Sequence, residues 1–311
     1  MSYAQFGLIQ ASDFNTRAGG NPNTSSGALN TVWSTGGGQT GYGQTAVANV
    51  ASGDTVSSTP WNQLFYYTGN AAAHQGTSIT SIANVSAGQV IAFNSSLDTN
   101  LTAIYNSRGN AASQGSTTAN AVTTASTWTA TATFTHTITF ANTDAARYFF
   151  NAGGQIKMTA AHSNTQAGVN DALNTLCTAT GTVVMSGQNS GSRTIAGTSY
   201  NGITKIGGSA TSGNGVATNN GYFAMTGSQQ ELFDQNTGNS PYTTLMDLRY
   251  IGNTNGTPGA TLTITTLISE TGANGTVGTG TTITCTLVPP ATTYIANTWG
   301  SIGLAGSVVV S

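Results

Sequence analysis

The chain has 311 residues, of which 38% are hydrophobic and only 5% are charged, and its formal net charge is −2. Disordered chains usually combine low hydrophobicity with high net charge, and nucleic acids or anionic membranes attract basic surfaces. The composition therefore indicates a folded, neutral protein and favours neither of those partners. No apolar run has the length of a membrane span, and the start "MSYAQFGLIQ" lacks the features of a signal peptide, so we expect a soluble protein made in a cytoplasm.

Helix signals dominate the first third of the chain. A short helix is predicted in "GALNTVW", just before the glycine-rich loop "STGGGQTGYGQT". A longer helix is predicted in "STPWNQLFYYTGNAAAH", with Thr59 as N-cap and Pro60 at the first helical position, where its missing N–H does no harm. Apolar residues then recur at helical spacing, which indicates a helix with one apolar face.

The segment "SSLDTNLTAIYNSRGN" carries the clearest helix pattern. Ser95 or Ser96 is the expected cap, and Asp98 in the first turn and Arg108 in the last turn both suit the helix dipole. Gly109 supplies the C-terminal stop. Together these segments predict a small helical part at the beginning of the chain.

From about residue 120 the hydrophobic period changes to two. In "WTATATFTHTITF", residues 128–140, every even position holds Trp, Ala, Phe, His or Ile and every odd position holds Thr, which strongly indicates a β-strand. The segments "ATLTITTLI", "TTITCTLV" and "GSVVVS" repeat this pattern, and turn clusters such as "GNTNGTPG" separate them. Several short strands of this kind predict an antiparallel β-sandwich or barrel-like body.

The change of period divides the chain into two predicted domains, and the predicted fold class is mainly β with a small α N-terminal part. Residues 1–118 form a helical and loop-rich docking domain, and residues 119–311 form an antiparallel β-sandwich domain. A helical part of this size buries its apolar side chains poorly by itself. We therefore expect Trp33, Trp61, Leu64 and Phe65 to contact a second copy or another protein.

Titratable groups are too scarce to suggest catalysis. His74 ends a predicted helix, His136 alternates with apolar strand residues, and His162 follows "MTAA". A histidine on an apolar strand face is more often a hydrogen-bonded core residue than a base or ligand, and no HExxH or Cys-x-x-Cys spacing occurs. Cys177 and Cys285 each lie in a Thr-rich strand pattern and are expected to be small buried hydrophobes. We expect no catalytic, cofactor-binding or metal-binding residues.

Three weaker motifs are better explained as loops. "GYGQTA" resembles half of a dinucleotide-binding fingerprint but follows a glycine loop rather than a strand. "GQNSG" and "GTSYNG" place serine between glycines without the spacing of a nucleophile elbow. Glu231, Asp234 and Asn236 in "ELFDQNTG" offer oxygens to a calcium ion, but a polar turn between strands is the commoner explanation.

The stretch "TDAARYFFNAGGQIKM", residues 143–158, concentrates charge and aromatic rings as no other part of the chain does. It can be a ligand site built on a cation and stacking rings, or a structural anchor in which alternate aromatics pack on the two faces of a strand. We favour the structural anchor, with "NAGGQ" as a turn and "IKM" as the start of the next strand. The structural anchor consists of Asp144, Arg147, Tyr148, Phe149, Phe150, Gly153 and Gly154.

The segment "FANTDAARYFFNAGGQIKM", residues 140–158, resembles a motif of structural proteins from tailed bacteriophages, notably cyanophage-like and other marine phages. The segments "MSYAQFGLIQASDFNT", "LNTVWSTG", "GYGQT", "SAGQVI" and "TNLTAIYNSR" are similar to the same proteins, in the same order, so the resemblance spans most of the chain. It implies a non-enzymatic virion protein of the tail, baseplate or an attached fibre. The surface of Thr, Ser, Asn and Gly with little charge favours self-association, so we expect a symmetric homo-oligomer that also binds other virion proteins. The resemblance to tail-fibre proteins implies three copies.

Other functions remain open on the same evidence. The resemblance to phage structural proteins is also compatible with a head or collar decoration protein. A carbohydrate-binding receptor module is expected to stack exposed aromatics on a host glycan, and the candidates are Tyr222, Phe223, Tyr242 and Trp299. A host cell-wall hydrolase is disfavoured because the sequence offers no credible carboxylate pair.

Overall fold

A computed structural model describes residues 11–19, 28–54, 57–86, 89, 94–164, 168–187, 192–208, 216–218, 220–237, 246–270 and 275–311. Within these ranges most regular structure is antiparallel β-sheet, accompanied by six α-helices. The predicted mainly β, antiparallel fold class is confirmed. None of the described helices is both long enough and apolar enough to cross a membrane.

Four helices precede the first strand: α1 (Ala11–Ala18), α2 (Leu29–Trp33), α3 (Ser58–Gln75) and α4 (Asn94–Asn106). The last three of these helices are the ones that the sequence predicts. The cap of α3 differs from the prediction, because Ser57 holds the N-cap position and Thr59 lies inside the first turn. Neighbouring polar residues compete for a helix cap, so a capping preference locates a helix end only to within a residue or two.

The polar residues of α4 also differ in role from the prediction. The helix begins at Asn94, so Asp98 lies beyond the first turn, and its carboxylate instead pairs with Arg17 of α1 at 2.8 Å. Arg108 follows the last helical residue, and its Nη1 donates a hydrogen bond to the carbonyl oxygen of Tyr105 at 2.9 Å. The cation therefore still binds the exposed carbonyl end of the helix, as the dipole argument requires.

Thirteen strands lie in the described ranges: β1 (Thr118–Thr123), β2 (Thr131–Thr139), β3 (Gln155–His162), β4 (Thr182–Met185), β5 (Arg193–Ile195), β6 (Thr198–Tyr200), β7 (Ile203–Ile206), β8 (Val216–Ala217), β9 (Gln230–Asn236), β10 (Met246–Thr254), β11 (Thr261–Glu270), β12 (Thr281–Val288) and β13 (Gly303–Val310). A five-stranded sheet has the order β1-β12-β3-β4-β7, and a six-stranded sheet has the order β13-β2-β11-β10-β9-β8. Strands β5 and β6 form a separate hairpin.

The alternating pattern of β2 is confirmed. Phe134, His136 and Ile138 are buried, while the threonines between them lie on the more exposed face. Strand β2 pairs with β11 on one side and with β13 on the other, so its apolar face lies in the middle of three antiparallel strands. The strict alternation of the sequence is thus the consequence of one buried and one partly solvated face.

Two helices lie after residue 120, where the sequence analysis expects strands and turns. They are α5 (Thr143–Asn151) and α6 (Val169–Thr180). The prediction of a strand at the aromatic stretch is therefore wrong, and so is the strand environment predicted for Cys177, which lies in α6. Helix α6 contacts β3 of the first sheet and both β9 and β10 of the second, so it connects the two sheets.

The two large sheets also meet where β13 lies beside β1. Gly306 of β13 makes this approach possible: a Cβ atom at this position would collide with Asn120 and Val122 of β1. The side chains of β1 thus occupy the space that a side chain at this position of β13 would need.

The four residues expected to contact a partner are buried inside the chain. Trp33 and Trp61 are each 4% exposed, Leu64 is fully buried and Phe65 is 7% exposed. The ring of Trp33 stacks on Tyr67 at 4.8 Å, so the helices cover these side chains themselves. The prediction that they form an assembly surface is wrong, because the N-terminal helices do not have to bury their apolar side chains alone.

The N-terminal helices share their hydrophobic core with the sheets. One continuous cluster of buried residues includes Leu64 of α3, Phe134 of β2 and Ile283 of β12. Hydrogen bonds add to this contact, since the Gln44 side chain bonds both the N–H and the carbonyl of Ala296. The predicted boundary at residue 118 coincides with the start of β1, and the division into two domains stays a prediction.

Candidate functional site

The structural anchor is a helix whose start is fixed by its own sequence. The Oδ1 atom of Asn142 accepts a hydrogen bond from the Ala145 N–H at 2.8 Å, and Asp144 lies in the first turn. Both features stabilise a helix N-terminus. Phe149 and Phe150 lie on the buried face, so adjacent rather than alternate aromatics enter the core.

Arg147 ties α5 to the glycine-rich loop. Its guanidinium donates hydrogen bonds to the carbonyl oxygens of Thr40 at 2.6 Å and Thr35 at 2.7 Å, and it pairs with Asp144 at 2.9 Å. Its carbon Cζ also lies 4.7 Å from the centre of the Tyr148 ring. The side chain is 13% exposed, and its Nε, Nη1 and Nη2 atoms each donate to these groups. These contacts agree with the structural role that we favour over ligand binding.

The glycine-rich loop presents carbonyl oxygens to α5. The Nδ2 atom of Asn151 donates to the carbonyl oxygens of Thr40 at 2.9 Å and of Gly38 and Gly41 at 3.2 Å. The ring of Tyr148 fills the space that a side chain at Gly43 would need. Loops that bind phosphate present N–H groups instead. The arrangement is the opposite of a phosphate cradle, which agrees with our rejection of "GYGQTA" as a dinucleotide motif.

The turn after α5 packs as closely as the helix does. Gly153 has a φ of +90°, and a Cβ atom at this position would lie 2.6 Å from the Cβ of Ala111. A Cβ atom at Gly154 would lie 2.5 Å from the Phe149 ring. Both glycines of the structural anchor are therefore required by close contacts, and Gly153 also by its left-handed conformation.

Two of the aromatic residues considered for sugar binding belong to this core. Tyr222 stacks on Phe150 at 4.3 Å and its hydroxyl donates to the Gly259 carbonyl at 2.9 Å. Trp299 is 3% exposed and packs against Phe149. The expectation that Tyr222 and Trp299 stack on a glycan is wrong, because both rings fill the space around α5. Phe223 is half-buried, and Tyr242 lies outside the described residues.

A cleft that sequence reasoning missed lies beside the structural anchor. We call it the arginine cleft; it is lined by Gln39, Arg108, Asn151, Ser186, Arg193 and Phe223, among others. Its enclosed volume is about 10 Å³, close to the space that one water molecule needs. It brings together the glycine-rich loop, the end of α4, the end of α5, the end of β4 and the start of β5.

The three histidines are part of the packed structure. His74 donates from Nε2 to the Ala152 carbonyl at 3.0 Å, and burial lowers its pKa to about 4. His162 bonds Thr281 and Asn170, each at 3.0 Å, and burial lowers its pKa as well. Burial also lowers the pKa of His136, which is fully buried. The expectation that His136 is a core residue is confirmed, but within the described structure neither ring nitrogen has a hydrogen-bond partner.

The residues considered for calcium surround an arginine. Glu231 and Asp234 lie on β9, and their carboxylates lie 3.9 and 3.8 Å from the Arg249 guanidinium of β10. Asp247 lies 2.8 Å from the same group, while burial and the neighbouring Asp234 raise its pKa to about 6. In the described ranges no group of three or more His, Cys, Asp or Glu side chains is arranged to hold a metal ion. Asn236 ends β9, so these residues lie on a strand rather than in a turn.

The two cysteines are free thiols in the core. Cys177 of α6 is 5% exposed and Cys285 of β12 is fully buried, and burial raises the pKa of each thiol to about 12. Both lie near the hydroxyl of Tyr250, whose pKa burial raises above its usual range. The description of the cysteines as small buried hydrophobes is confirmed.

Comparison with known proteins adds no assignment to this geometry: no protein-family model, no curated protein and no solved structure matches the chain.

Proposed function

We propose that the protein is a non-enzymatic structural component of a tailed-phage virion, in the tail, baseplate or a fibre, and that it works as a symmetric homo-oligomer. The motif resemblance described above is the source of the virion assignment. The proposal also includes a specific architecture, an antiparallel β-sandwich body preceded by a helical head.

The observation that carries self-association is the unpaired edge strand of the six-stranded sheet, which contacts β1 around Gly306 but forms no ladder with it. Strand β13, "GLAGSVVV", is the outermost strand, and in the described part of the chain no strand pairs with its outer side. Val309 is 71% exposed, and the strand contains neither proline nor a charged residue. Proteins that stay monomeric usually protect such edges with charges, prolines or bulges.

The chemistry of the surface supports the same proposal. The outer face of β2 consists of threonines, and the whole chain has only seven basic and nine acidic residues. Copies of such a surface repel one another weakly. β-Branched side chains also lose little conformational freedom when they are packed.

The symmetry of the oligomer depends on what β13 meets. Antiparallel pairing of β13 with the β13 of another copy gives a two-fold dimer, whereas the resemblance to tail fibres implies three copies. In a trimer each β13 must therefore meet a different surface of its neighbour. The assembly surface in this proposal is in the β part of the chain, since the side chains expected at the N-terminal end are buried.

Native mass spectrometry of the purified chain and of Val309→Lys tests self-association through β13. We expect an oligomer for the wild-type protein and at least a tenfold higher dissociation constant for the variant, because a charged lysine on an edge strand opposes pairing with another strand. Tyr66→Lys is the matched control, since Tyr66 is 63% exposed on α3 and should tolerate the charge. A strictly monomeric wild-type protein, or equal association by both variants, would contradict this part of the proposal.

Immunogold electron microscopy tests the virion assignment. Antibodies against the purified chain should label intact particles of the phage that encodes it at the tail or its fibres. Labelling confined to capsids would favour head decoration. Particles without label and without peptides of this chain would exclude a virion role.

A further inference from the structure

Two arginines face the arginine cleft without a carboxylate partner. The chain has five arginines, and three of them pair with acids: Arg17 with Asp98, Arg147 with Asp144, and Arg249 with the carboxylates around it. Within the described residues, Arg108 and Arg193 form no ion pair, although both line this cleft. In a protein with so few charges, two cations in one cleft require a physical explanation.

The surrounding protein satisfies only part of each guanidinium. Arg108 donates from Nη1 to the Tyr105 carbonyl, and its Cζ lies 4.2 Å from the centre of the Tyr105 ring. Arg193 donates from Nη1 to the Ser192 carbonyl at 3.2 Å. The Nε atoms of both arginines are buried and have no hydrogen-bond partner in the described structure. Buried N–H donors without an acceptor are unfavourable, and here two of them belong to cations in the same cleft.

Packing holds the second arginine in place. Gly109 has a φ of +86°, and a Cβ atom added there would lie 3.0 Å from the Nε of Arg193. The backbone after α4 therefore supports the side chain of β5 directly. The cleft is in this sense preorganised, because its two cations are fixed by a helix end and by a glycine.

Within the described residues, no carboxylate lies near enough to supply the missing negative charge. Burial raises the pKa of Tyr42, a phenol near both arginines, to about 12, and its oxygen accepts a hydrogen bond from Gln75. This phenol is therefore neutral at physiological pH. Burial and the charge of Arg108 both lower the pKa of Arg193, as expected for two cations held together.

We propose that the arginine cleft binds an oxyanion, a phosphate, sulfate or carboxylate group, whose oxygens accept hydrogen bonds from the Nε–H groups of Arg108 and Arg193. Guanidinium groups bind such oxyanions through paired, charge-assisted hydrogen bonds. The cleft volume of about 10 Å³ admits one oxygen of the anion and leaves the rest of the ligand at the cleft mouth. The site thus accepts either a free inorganic anion or the terminal acidic group of a larger molecule.

Thermal unfolding of the full chain with increasing inorganic phosphate, sulfate or acetate, at constant ionic strength set by sodium chloride, tests the proposal. We expect a saturable rise in melting temperature for at least one anion. In Arg108→Gln and Arg193→Gln the apparent dissociation constant should rise roughly tenfold or more, because each change removes a charge-assisted hydrogen bond. Arg249→Gln is the matched control and should bind as the wild type does, since its guanidinium already has carboxylate partners.

Two further measurements keep the test decisive if a glutamine variant folds poorly. Phosphorus-31 line broadening of inorganic phosphate by the wild-type protein should be reversed by sulfate. Arg193→Lys, which keeps the charge but not the Nε–H donor, should bind more weakly than the wild type. Tighter binding of glucose 6-phosphate than of inorganic phosphate would identify the anion as part of a larger ligand. An absence of saturable binding, or equal binding by the wild type and both cleft variants, would overturn the proposal.

Discussion

At the scale of single residues, Arg147 shows why a conspicuous charged residue need not be a ligand site. Its guanidinium bonds two loop carbonyls and one carboxylate, and it lies over an aromatic ring. A ligand would have to displace these partners. Arg108 and Arg193 of the arginine cleft each donate to one carbonyl, but within the described residues neither has a carboxylate partner and neither Nε has an acceptor. This contrast with Arg147 is the basis of the anion-binding proposal.

Replacement of Arg147 by alanine should therefore destabilise the fold. We expect the free energy of unfolding to fall by about 1–3 kcal/mol, because the carbonyls of Thr35 and Thr40 lose their donor. Urea denaturation followed by circular dichroism measures this change. Asp144→Ala is the control: its carboxylate is 65% exposed, and the loss should stay within about 0.5 kcal/mol. Equal effects of the two substitutions would show that the carbonyl contacts contribute little.

His74 should make stability depend on pH. Its pKa of about 4 in the folded chain lies below the ordinary value of 6.5, so between these values the unfolded chain binds more protons. Stability is therefore fully present above pH 6.5 and is lost as the pH falls through this window. From one such histidine we expect a loss of about 2 kcal/mol between about pH 7 and about pH 5.

Urea denaturation of wild type and His74→Gln at the two pH values isolates this contribution. Glutamine can still donate to the Ala152 carbonyl, so the variant should fold and show a shallower pH dependence. The raised pKa of Asp247 acts in the opposite direction, since a carboxyl with a raised pKa favours the folded state at low pH. That contribution is common to both proteins and cancels in the comparison. Identical pH dependences would mean that His74 does not carry the effect.

At the scale of elements, the glycine-rich loop depends on particular glycines rather than on glycine content. Gly41 has a φ of +92°, and a Cβ there would collide with the Thr35 carbonyl. Gly38 has a φ of +56° but open space around it, and Gly37 has open space without a positive φ. A side chain is therefore unconstrained at Gly37, strained by the backbone conformation at Gly38, and opposed by both conformation and collision at Gly41.

Alanine substitutions at these three glycines should rank accordingly. Gly37→Ala should be nearly neutral, Gly38→Ala should cost about 1 kcal/mol for the left-handed conformation, and Gly41→Ala should cost more than about 3 kcal/mol because a collision is added. Chemical denaturation of the three variants gives the order. Equal losses at Gly38 and Gly41 would indicate that the loop shifts to relieve the collision.

Elements with strictly local signals were predictable from the sequence. The alternation of β2 and the apolar stripes of α3 and α4 identified those elements, because each pattern records a single buried face. The strand predicted at α5 is wrong, because three consecutive aromatics fit an alternating strand as well as a helix. The informative signal was the polar start, Asn142 with Asp144, which caps a helix. In α6 the spacing of Leu173, Leu176 and Cys177 already had the helical period.

The site could be predicted only in part, because some of its residues are far apart in the sequence. The structural anchor lies in one contiguous stretch, so the sequence groups its residues correctly although the predicted strand is a helix. The arginine cleft joins Arg108 and Arg193 from separate elements, and no local pattern relates them. One usable signal was compositional, since both arginines lack an acidic residue nearby in the sequence.

At the scale of the whole molecule, the contacts between the N-terminal loop and the β part favour cooperative unfolding. The hydroxyl of Thr298 donates to the Tyr42 carbonyl at 2.6 Å, and Arg147 and Gln44 add further bonds between the two parts. We expect the full chain to unfold in one transition. A chain of residues 119–311 should have a clearly lower denaturation midpoint, measured by circular dichroism and by intrinsic fluorescence. Two separate transitions, with a fragment as stable as the full chain, would instead establish two independent domains.

The burial of the two thiols turns them into reporters of how the molecule opens. At about pH 8 a thiol with a pKa near 12 is ionised in only about one molecule in ten thousand, so an alkylating reagent should leave the folded chain almost untouched. Cys177 belongs to a helix that bridges the sheets, and Cys285 belongs to a strand held on both sides by β1 and β3. Mass spectrometry during unfolding shows which of the two cysteines is alkylated first. That order reveals whether helix α6 detaches before the β-sheet separates.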